Sequence, residues 1–211
     1  MLLYAISSRN LFFGSEAERH QQLIAQTLFL AQNGVDYFQI REKDLCLADL
    51  AELTRAVVRA VRSTNSQMQI LLNGPAELAL RSGCDGVHLP GTSSAESALE
   101  ARAQFAAADL PLTLSAACHS PNEARVWGQQ VDLMLFAPVF EKRLPTETIP
   151  GQGLRALAEA TKAAPSIPVL ALGGITAENA STAMEAGASG IAAIRLFQSQ
   201  DWRKALAKNL G

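Results

Sequence analysis

Short apolar runs and amphipathic segments alternate along the whole chain, and eight apolar runs occur in its 211 residues. Apolar runs of this length predict buried strands, and the segments between them carry apolar residues at helical spacing. Strands that alternate with helices favour a parallel sheet, and eight such units are enough to close it into a barrel. The predicted strands are Leu2–Ser7, Tyr37–Ile40, Gln69–Leu72, Gly86–Leu89, Leu112–Ala116, Leu133–Ala137, Val169–Leu172 and Gly190–Ile194. The predicted fold class is therefore α/β, a (β/α)8 TIM barrel that forms one domain over residues 1–211.

The segments between the predicted strands have recognisable helix boundaries. Gly34 ends the first helix, and Pro165 follows the end of the sixth. Ser120-Pro121-Asn122-Glu123 is a capping box with proline at the first helical position, so the fifth helix is predicted to begin directly after His119. The other predicted helices are Glu16–Asn33, Leu47–Ser63, Pro75–Ser82, Ser94–Ala107, Leu154–Ala164, Thr176–Ala186 and Trp202–Leu210.

Composition and charge argue against several classes of protein. Eighteen basic and 20 acidic residues are spread evenly and give a net charge of −2, so no basic surface points to nucleic acid or to an anionic membrane. The apolar stretches are far shorter than the roughly 20 residues that cross a bilayer, and nothing resembles a signal peptide. Cys46, Cys84 and Cys118 are odd in number and lack metal-binding spacing. We therefore predict a cytoplasmic protein with neither a nucleic-acid nor a membrane partner.

Charged residues follow the second predicted strand. In a parallel barrel the carboxyl ends of all strands meet at one rim, where barrel enzymes have their active sites. Gln39, Arg41 and Lys43 are alternate residues, so they are predicted to face the barrel mouth together. Cations turned into a barrel need a partner, which makes an anionic ligand the expected counterpart. An ion pair with Glu42 or Asp44 is the alternative explanation.

Two glycine-containing segments predict a phosphate-binding site. Gly151–Leu154 opens the sixth predicted helix, and Leu172–Thr176 opens the seventh. Glycine lets backbone N–H groups approach an anion at a helix N-terminus, and barrels often bind phosphate with the loops after strands seven and eight. Tight turns that bind no ligand are the alternative. The predicted phosphate-binding residues are Gly153, Gly173, Gly174, Ala193, Ile194 and Arg195.

The three histidines occupy different contexts. Histidine titrates near neutrality and is the usual general acid or base. His119 lies between a strand end and a capped helix, so we predict that it is the catalytic residue. His88, within the fourth strand, is predicted either to contact substrate or to be a core histidine, whereas His20 lies in a polar helical segment. Cys118 lacks the surroundings of a catalytic cysteine.

The connection after the sixth strand is long and polar. Residues 141–150 contain a lysine, an arginine, two threonines and two prolines. Ten residues exceed a typical strand-to-helix connection, so this segment is predicted to be an active-site lid. A surface loop without a role in the site is the alternative.

An ordered set of short motifs extends over nearly the whole chain. They are Leu3-Tyr4-Ala5-Ile6, Gln39-x-Arg41-x-Lys43, Leu72-Asn73, Gly83-x-Asp85-Gly86-Val87-His88-Leu89, Cys118-His119-Ser120-x-x-Glu123-Ala124, Ala137-Pro138-Val139-Phe140, Gly153-Leu154, Gly173-Gly174-Ile175 and Gly187-Ala188-x-Gly190. Together these motifs resemble the thiamin phosphate synthase and thiazole tautomerase superfamily. The resemblance implies a (β/α)8 barrel, usually dimeric, that binds a thiazole phosphate, and it adds Asn73 and His88 to the substrate-binding residues Gln39, Arg41 and Lys43.

The chain departs from the synthase branch where that branch binds metal. The synthase has two aspartates that hold magnesium, and Gly74 and Ser93 stand in their places here. Magnesium is commonly held through one or two carboxylates together with phosphates, so the resemblance implies that its protein ligands are missing. Further departures are Ala117 and Arg195, which replace serines, and Phe140–Pro145, which replaces a threonine-rich stretch. Arg195 either adds a phosphate contact or narrows the site.

Three functions are compatible with these residues. The retained ones favour a metal-independent, thiazole tautomerase-like isomerase in which His119 moves the proton. The first alternative is a thiamin phosphate synthase that joins thiazole phosphate to an aminopyrimidine diphosphate, with magnesium recruited through Asp44 or through the substrate's phosphates. The second is a non-catalytic regulatory barrel. The expected partners are a small phosphorylated heterocycle and a second copy of the chain, and no cofactor is expected except magnesium under the synthase hypothesis.

Overall fold

Parallel strands close into a barrel in the computed structural model, which describes residues 1–143 and 148–210. The strands are β1 (Leu2–Ile6), β2 (Tyr37–Ile40), β3 (Gln69–Leu72), β4 (Gly86–Leu89), β5 (Thr113–Cys118), β6 (Leu133–Phe136), β7 (Lys142–Arg143), β8 (Thr148–Ile149), β9 (Val169–Leu172) and β10 (Gly190–Ala193). The helices are α1 (Glu16–Gln32), α2 (Leu47–Arg62), α3 (Ala76–Arg81), α4 (Ala95–Ala107), α5 (Pro121–Trp127), α6 (Gly153–Ala163), α7 (Ala180–Glu185) and α8 (Trp202–Leu210).

Eight of the described strands form the barrel, in the order β1-β10-β9-β6-β5-β4-β3-β2, and every neighbouring pair is parallel. This closure confirms the predicted (β/α)8 fold. The remaining strands, β7 and β8, pair antiparallel within the β6–α6 connection, with Lys142 opposite Ile149. The connection predicted to be a lid thus contains two paired strands, and residues 144–147 of that prediction lie outside the described residues.

Most predicted boundaries agree with the structure to within about two residues. The main exception is the seventh helix, which the sequence predicts to begin at Thr176 and which begins at Ala180. Asn179 explains the difference, because its side chain accepts from the Thr176 N–H at 2.9 Å and donates to the Gly174 carbonyl at 2.8 Å. Side chains of asparagine commonly replace backbone hydrogen bonds in this way and favour a turn over a helix.

Apolar side chains form two layers. The outer layer lies between the strands and the helices and includes Phe38, Val57 and Phe105. The inner layer fills the barrel with Tyr4, Leu135 and their neighbours. Full burial of a large apolar side chain stabilises the fold by about 1.5–3 kcal/mol, so the two layers hold the strand ends in fixed positions. Among the described residues, the structure contains no helix with the length and apolar character that a membrane span requires.

Three aspartates repeat one arrangement at the N-terminal end of the barrel. Asp36, Asp85 and Asp132 stand directly before β2, β4 and β6. Each carboxylate accepts a backbone N–H of the preceding strand at 2.7 Å. Arg62 also donates to both oxygens of Asp85 at 2.7 Å. These contacts tie the strands in pairs at the barrel end opposite the predicted site, where a TIM barrel gains stability rather than function.

Removal of one of these carboxylates tests that role. Asp85→Ala should lower the free energy of unfolding by about 1–3 kcal/mol, because the buried Ile70 N–H loses its acceptor. Asp85→Asn keeps an acceptor for the Ile70 N–H, so it should lower the free energy of unfolding less. The exposed ion pair with Arg62, which this variant also loses, contributes only about 0–1 kcal/mol. Urea denaturation of the three proteins gives both differences. Equal losses for the two variants would contradict the assignment to the Ile70 contact.

Candidate active site at the barrel mouth

The predicted site residues follow the carboxyl ends of several strands. Arg41 follows β2, Asn73 follows β3, His119 follows β5, Gly173 follows β9 and Ile194 follows β10. Because all these strands are parallel, their carboxyl ends form one rim. The structure therefore brings these five residues to the same end of the barrel.

Arg41 and Lys43 make the β2 side of the rim electropositive. Both lie close enough to His88 to lower the pKa of that histidine. Among the described residues, neither side chain forms an ion pair, so the alternative of a pair with Glu42 or Asp44 is wrong. Those two carboxylates instead contact Arg9, at 3.1 Å from Glu42 and 2.6 Å from Asp44. Two cations without a protein carboxylate at a barrel mouth are a candidate binding site for an anion.

A short chain of polar side chains runs through the barrel interior below the rim. His88 Nδ1 lies 2.8 Å from Ser115 Oγ, which lies 3.1 Å from the Tyr4 hydroxyl. Burial, followed by the charges of Arg41 and Lys43, lowers the pKa of His88 to about 3, so its imidazole is neutral at neutral pH.

The burial of His88 and its contact with Ser115 favour a core histidine over one that contacts substrate. Gln39 is also buried, and its Oε1 has no hydrogen-bond partner among the described residues. An unsatisfied buried amide at this depth is a candidate for contact with ligand, as the sequence predicts.

His119 is held from two sides at the mouth. Its backbone N–H donates to Glu123 Oε2 at 2.8 Å. The predicted capping box forms in part: Ser120 Oγ accepts the Glu123 N–H at 3.2 Å, whereas the Glu123 carboxylate accepts the N–H of His119, one residue before the N-cap. Its imidazole Nδ1 lies 2.8 Å from the Ala137 carbonyl oxygen at the end of β6. A carbonyl oxygen only accepts, so Nδ1 carries the hydrogen and the neutral ring keeps its lone pair on Nε2. The Nε2 atom is therefore placed to accept a proton, as a general base requires.

Two neighbours complete the surroundings of His119. Gln152, on the turn before α6, donates from Nε2 to the same Ala137 carbonyl at 2.8 Å. Gly91 in the β4–α4 connection faces the imidazole so closely that a Cβ there would lie 2.7 Å from Nε2. No local pattern in the sequence indicates these contacts, because the Gln152 amide meets Ala137, and Gly91 meets His119, only when separate connections converge on the rim.

Gly91→Ala is expected to displace the imidazole and to reduce by about tenfold the turnover of a reaction in which His119 is the base, since small misplacements of a reacting group are costly. The backbone at Gly91 needs no left-handed conformation, so the change should leave the unfolding free energy nearly unaltered. Steady-state kinetics alongside thermal unfolding measures both quantities. Unchanged kcat would mean that the imidazole position is not required for the reaction.

The β9–α7 connection presents backbone donors to the mouth. Gly173 and Gly174 have φ of +94° and +65°, a region that favours glycine, and a Cβ on Gly173 would lie 2.6 Å from Pro138. Close packing therefore explains the two glycines in part. Among the described residues, the N–H groups of Gly174, Ile175 and Ile194 have no hydrogen-bond acceptor. The short helical turn Leu196–Gln198 follows β10, as the phosphate sites of barrel enzymes often have.

Two parts of the phosphate prediction need correction. The Gly153 N–H is not available to an anion, because it donates to the Val139 carbonyl at 3.0 Å. The N-terminus of α7 does not follow the glycine pair either, since the turn at Asn179 intervenes. The donors that remain belong to the β9 and β10 connections. Arg195 is exposed and makes a contact of its own, and Ala193 is buried at the end of β10.

The residues at the rim do not suit a protein-held magnesium ion. A Cβ on Gly74 would meet Leu72 at 3.2 Å and Leu50 at 3.6 Å, which is an apolar setting. Asp44, the other carboxylate considered for this role, is engaged by Arg9. Within residues 1–143 and 148–210, no group of three His, Cys, Asp or Glu side chains could hold a metal ion. Oxygen ligands of the kind that magnesium prefers are thus not gathered there.

Comparisons with known sequences agree on one family. The family profile described as thiamine monophosphate synthase matches residues 3–197. The chain is 35% identical to a putative thiamine-phosphate synthase of Geobacter sulfurreducens, over 84% of this chain and 82% of that protein. It is 31% identical to putative thiamine-phosphate synthase 2 of Aquifex aeolicus, over 92% of this chain and 96% of that protein.

Solved structures support the same fold. A thiamine phosphate pyrophosphorylase from Pyrococcus furiosus superposes with a TM-score of 0.77 at 22% identity, and the match covers 100% of this chain and 97% of the other. A 3-hexulose-6-phosphate synthase superposes with a TM-score of 0.68 at 17% identity, over 99% and 98% of the two chains. At these identities the likeness shows the barrel fold and nothing finer.

Proposed function

The chain belongs to the thiamine monophosphate synthase family, and we propose that it is a transferase that joins a thiazole phosphate to an aminopyrimidine diphosphate. One observation carries the proposal: two sets of anion-binding groups share one rim. Arg41 and Lys43 follow β2, whereas the N–H groups of Gly174 and Ile194 follow β9 and β10, with β1 between the two sets. Two phosphorylated substrates need two such sets, and the names of the relatives support the same reaction.

In this reaction the thiazole nitrogen forms a bond to the methylene carbon of the pyrimidine. The bond from that carbon to the diphosphate oxygen breaks, and pyrophosphate leaves with the electron pair. Arg41 and Lys43 would stabilise the negative charge that develops on the diphosphate, since fixed cations at a developing charge lower the barrier. The N–H groups of Gly174 and Ile194 would hold the thiazole phosphate. No step is assigned to magnesium, because Gly74 and Ser93 offer it no carboxylate.

Incubation of the purified protein with the two substrates tests the proposal. Thiamin phosphate and pyrophosphate should appear in equal amounts, and the rate should be compared with added magnesium and with a chelator. A strict requirement for magnesium would mean that the substrates' own phosphates bind the ion. No thiamin phosphate under either condition would overturn the proposal.

The geometry of His119 favours a second candidate, a thiazole tautomerase. Its ring is held by the Ala137 carbonyl through Nδ1, which leaves the lone pair on Nε2, an arrangement suited to moving a proton between two positions of a thiazole carboxylate phosphate. The joining of thiazole phosphate to aminopyrimidine diphosphate does not require such a base. Conversion of the thiazole carboxylate phosphate tautomer, assayed on the same preparation, separates the two candidates.

Binding without turnover is the third outcome of these assays. If neither reaction occurs and thiazole phosphate still perturbs the amide resonances of Gly174 and Ile194, the regulatory-barrel hypothesis gains support. We further propose a cytoplasmic homodimer, which sedimentation of the purified chain would test.

A further inference from the structure

We propose that Arg9 is a positioning residue that keeps Asp44 away from Arg41 and Lys43, and so leaves those two cations to an anionic ligand. The inference rests on the proposed function, because it concerns the same anion-binding pair. Its starting point is the sequence Arg41-Glu42-Lys43-Asp44, in which charges of opposite sign alternate. Neighbours of this kind readily neutralise one another, and a neutralised pair would not bind a diphosphate.

In the structure the acidic and the basic side chains of this segment make different contacts. Arg9 is buried, and its guanidinium donates to both oxygens of Asp44, at 2.6 and 2.8 Å. The same guanidinium contacts Glu16 of α1 and donates to Glu42 at 3.1 Å. The Arg9 guanidinium holds the pKa of Asp44 well below its usual range, so Asp44 stays ionised near neutral pH. The two carboxylates thus point towards Arg9, while Arg41 and Lys43 act on His88 inside the barrel.

Glu42 is anchored independently of the guanidinium. Its carboxylate is buried and accepts from the Ser7 hydroxyl and from the backbone N–H of Arg9, the latter at 3.1 and 3.2 Å. Ser7 Oγ in turn accepts the Arg41 N–H at 2.8 Å. Substitution of the Arg9 side chain leaves these contacts in place. Asp44 differs, because its side chain is 53% exposed and every ion pair that it makes among the described residues is with Arg9.

Loss of the guanidinium should therefore release Asp44 in particular. Its carboxylate would then compete for Lys43 or Arg41 with any incoming anion. An exposed ion pair of this type changes an equilibrium by up to about fivefold. Inorganic pyrophosphate, the product of the proposed reaction, is a suitable probe, and calorimetric titration gives its dissociation constant.

A double-mutant cycle separates this role from a purely structural one. Arg9→Met should weaken pyrophosphate binding about fivefold, and Arg9→Met with Asp44→Asn should restore it to within about twofold of the wild type. Arg62→Met, which removes a similar bidentate arginine at the opposite end of the barrel, is the matched control and should leave the affinity unchanged. A double variant as weak as Arg9→Met would overturn the proposal, because rescue by removal of the carboxylate is its specific consequence.

Asp44→Asn alone keeps the proposal testable if Arg9→Met does not fold. Asp44 is already engaged in the wild type, so this variant should bind pyrophosphate within about twofold of the wild-type affinity. A fivefold gain would overturn the proposal, since it would mean that Asp44 competes with the ligand even in the presence of Arg9.

Arg41→Gln distinguishes failure of this inference from failure of the proposed function. Wild-type protein that binds no pyrophosphate, or an Arg41→Gln variant with full affinity, would overturn the anion site and both proposals with it. Loss of binding in Arg41→Gln, combined with no rescue in the double variant, would overturn the role of Arg9 alone.

Discussion

Arg41→Gln is expected to lower kcat/KM for thiamin phosphate formation about 10²- to 10³-fold, the size typical of removing one fixed group that stabilises charge in a transition state. Arg41 follows β2 at the rim and has no carboxylate partner among the described residues, so its charge is available to the departing diphosphate. Gly74 and Ser93 supply no carboxylate that could hold a metal ion to share this task. The loss should fall mainly on kcat, because the charge on the bridging oxygen develops as the bond breaks.

Arg155→Gln is the matched control, since the Arg155 side chain is 93% exposed on α6 and pairs only with Glu159 of the same helix among the described residues. It should leave both kcat and KM unaltered. Assays at two ionic strengths add a second readout, because the wild type should be more sensitive to salt than Arg41→Gln. A kcat for Arg41→Gln within twofold of the wild type would contradict the assigned role.

The fold and the composition of the rim follow from local sequence. Short apolar runs and helical spacing define the eight strand–helix units, and parallel strands must bring residues such as Arg41 and His119 to one end. The Ser120 cap after His119 is also local, because Ser120 Oγ accepts the N–H of Glu123, one helical turn away. Each of these features depends on residues close in sequence, and the structure agrees with them.

The partners of these residues depend on contacts that are distant in sequence. Arg9 meets Glu42 and Asp44 across the ends of β1 and β2, so the alternative of a local ion pair at Arg41 was reasonable and wrong. Gly153 was assigned to the phosphate because glycine opens α6, whereas the close return of that connection to Val139 takes its N–H. Sequence patterns describe which residues reach the rim, and packing between connections decides which donors and charges remain for a ligand.

His119→Asn is expected to separate the two candidate reactions. Loss of a general acid or base lowers the reaction rate at least about 10²-fold, so the rate of tautomerisation of a thiazole carboxylate phosphate should fall by that factor or more. Affinity for the phosphate should stay nearly constant, because the N–H groups of Gly174 and Ile194 lie on other connections of the rim. Formation of thiamin phosphate, which needs no base at this position, should fall much less.

Gln152→Ala provides the comparison for that result. It removes the other donor to the Ala137 carbonyl and leaves the imidazole in place, so it should cost either reaction less than about tenfold. Turnover of both reactions, measured on one preparation of each variant with and without chelator, gives the required ratios. A His119→Asn variant with a full tautomerase rate would remove His119 as the base. A variant that loses both reactions equally, with its fold and phosphate affinity intact, would instead place His119 in contact with a substrate that the two reactions share.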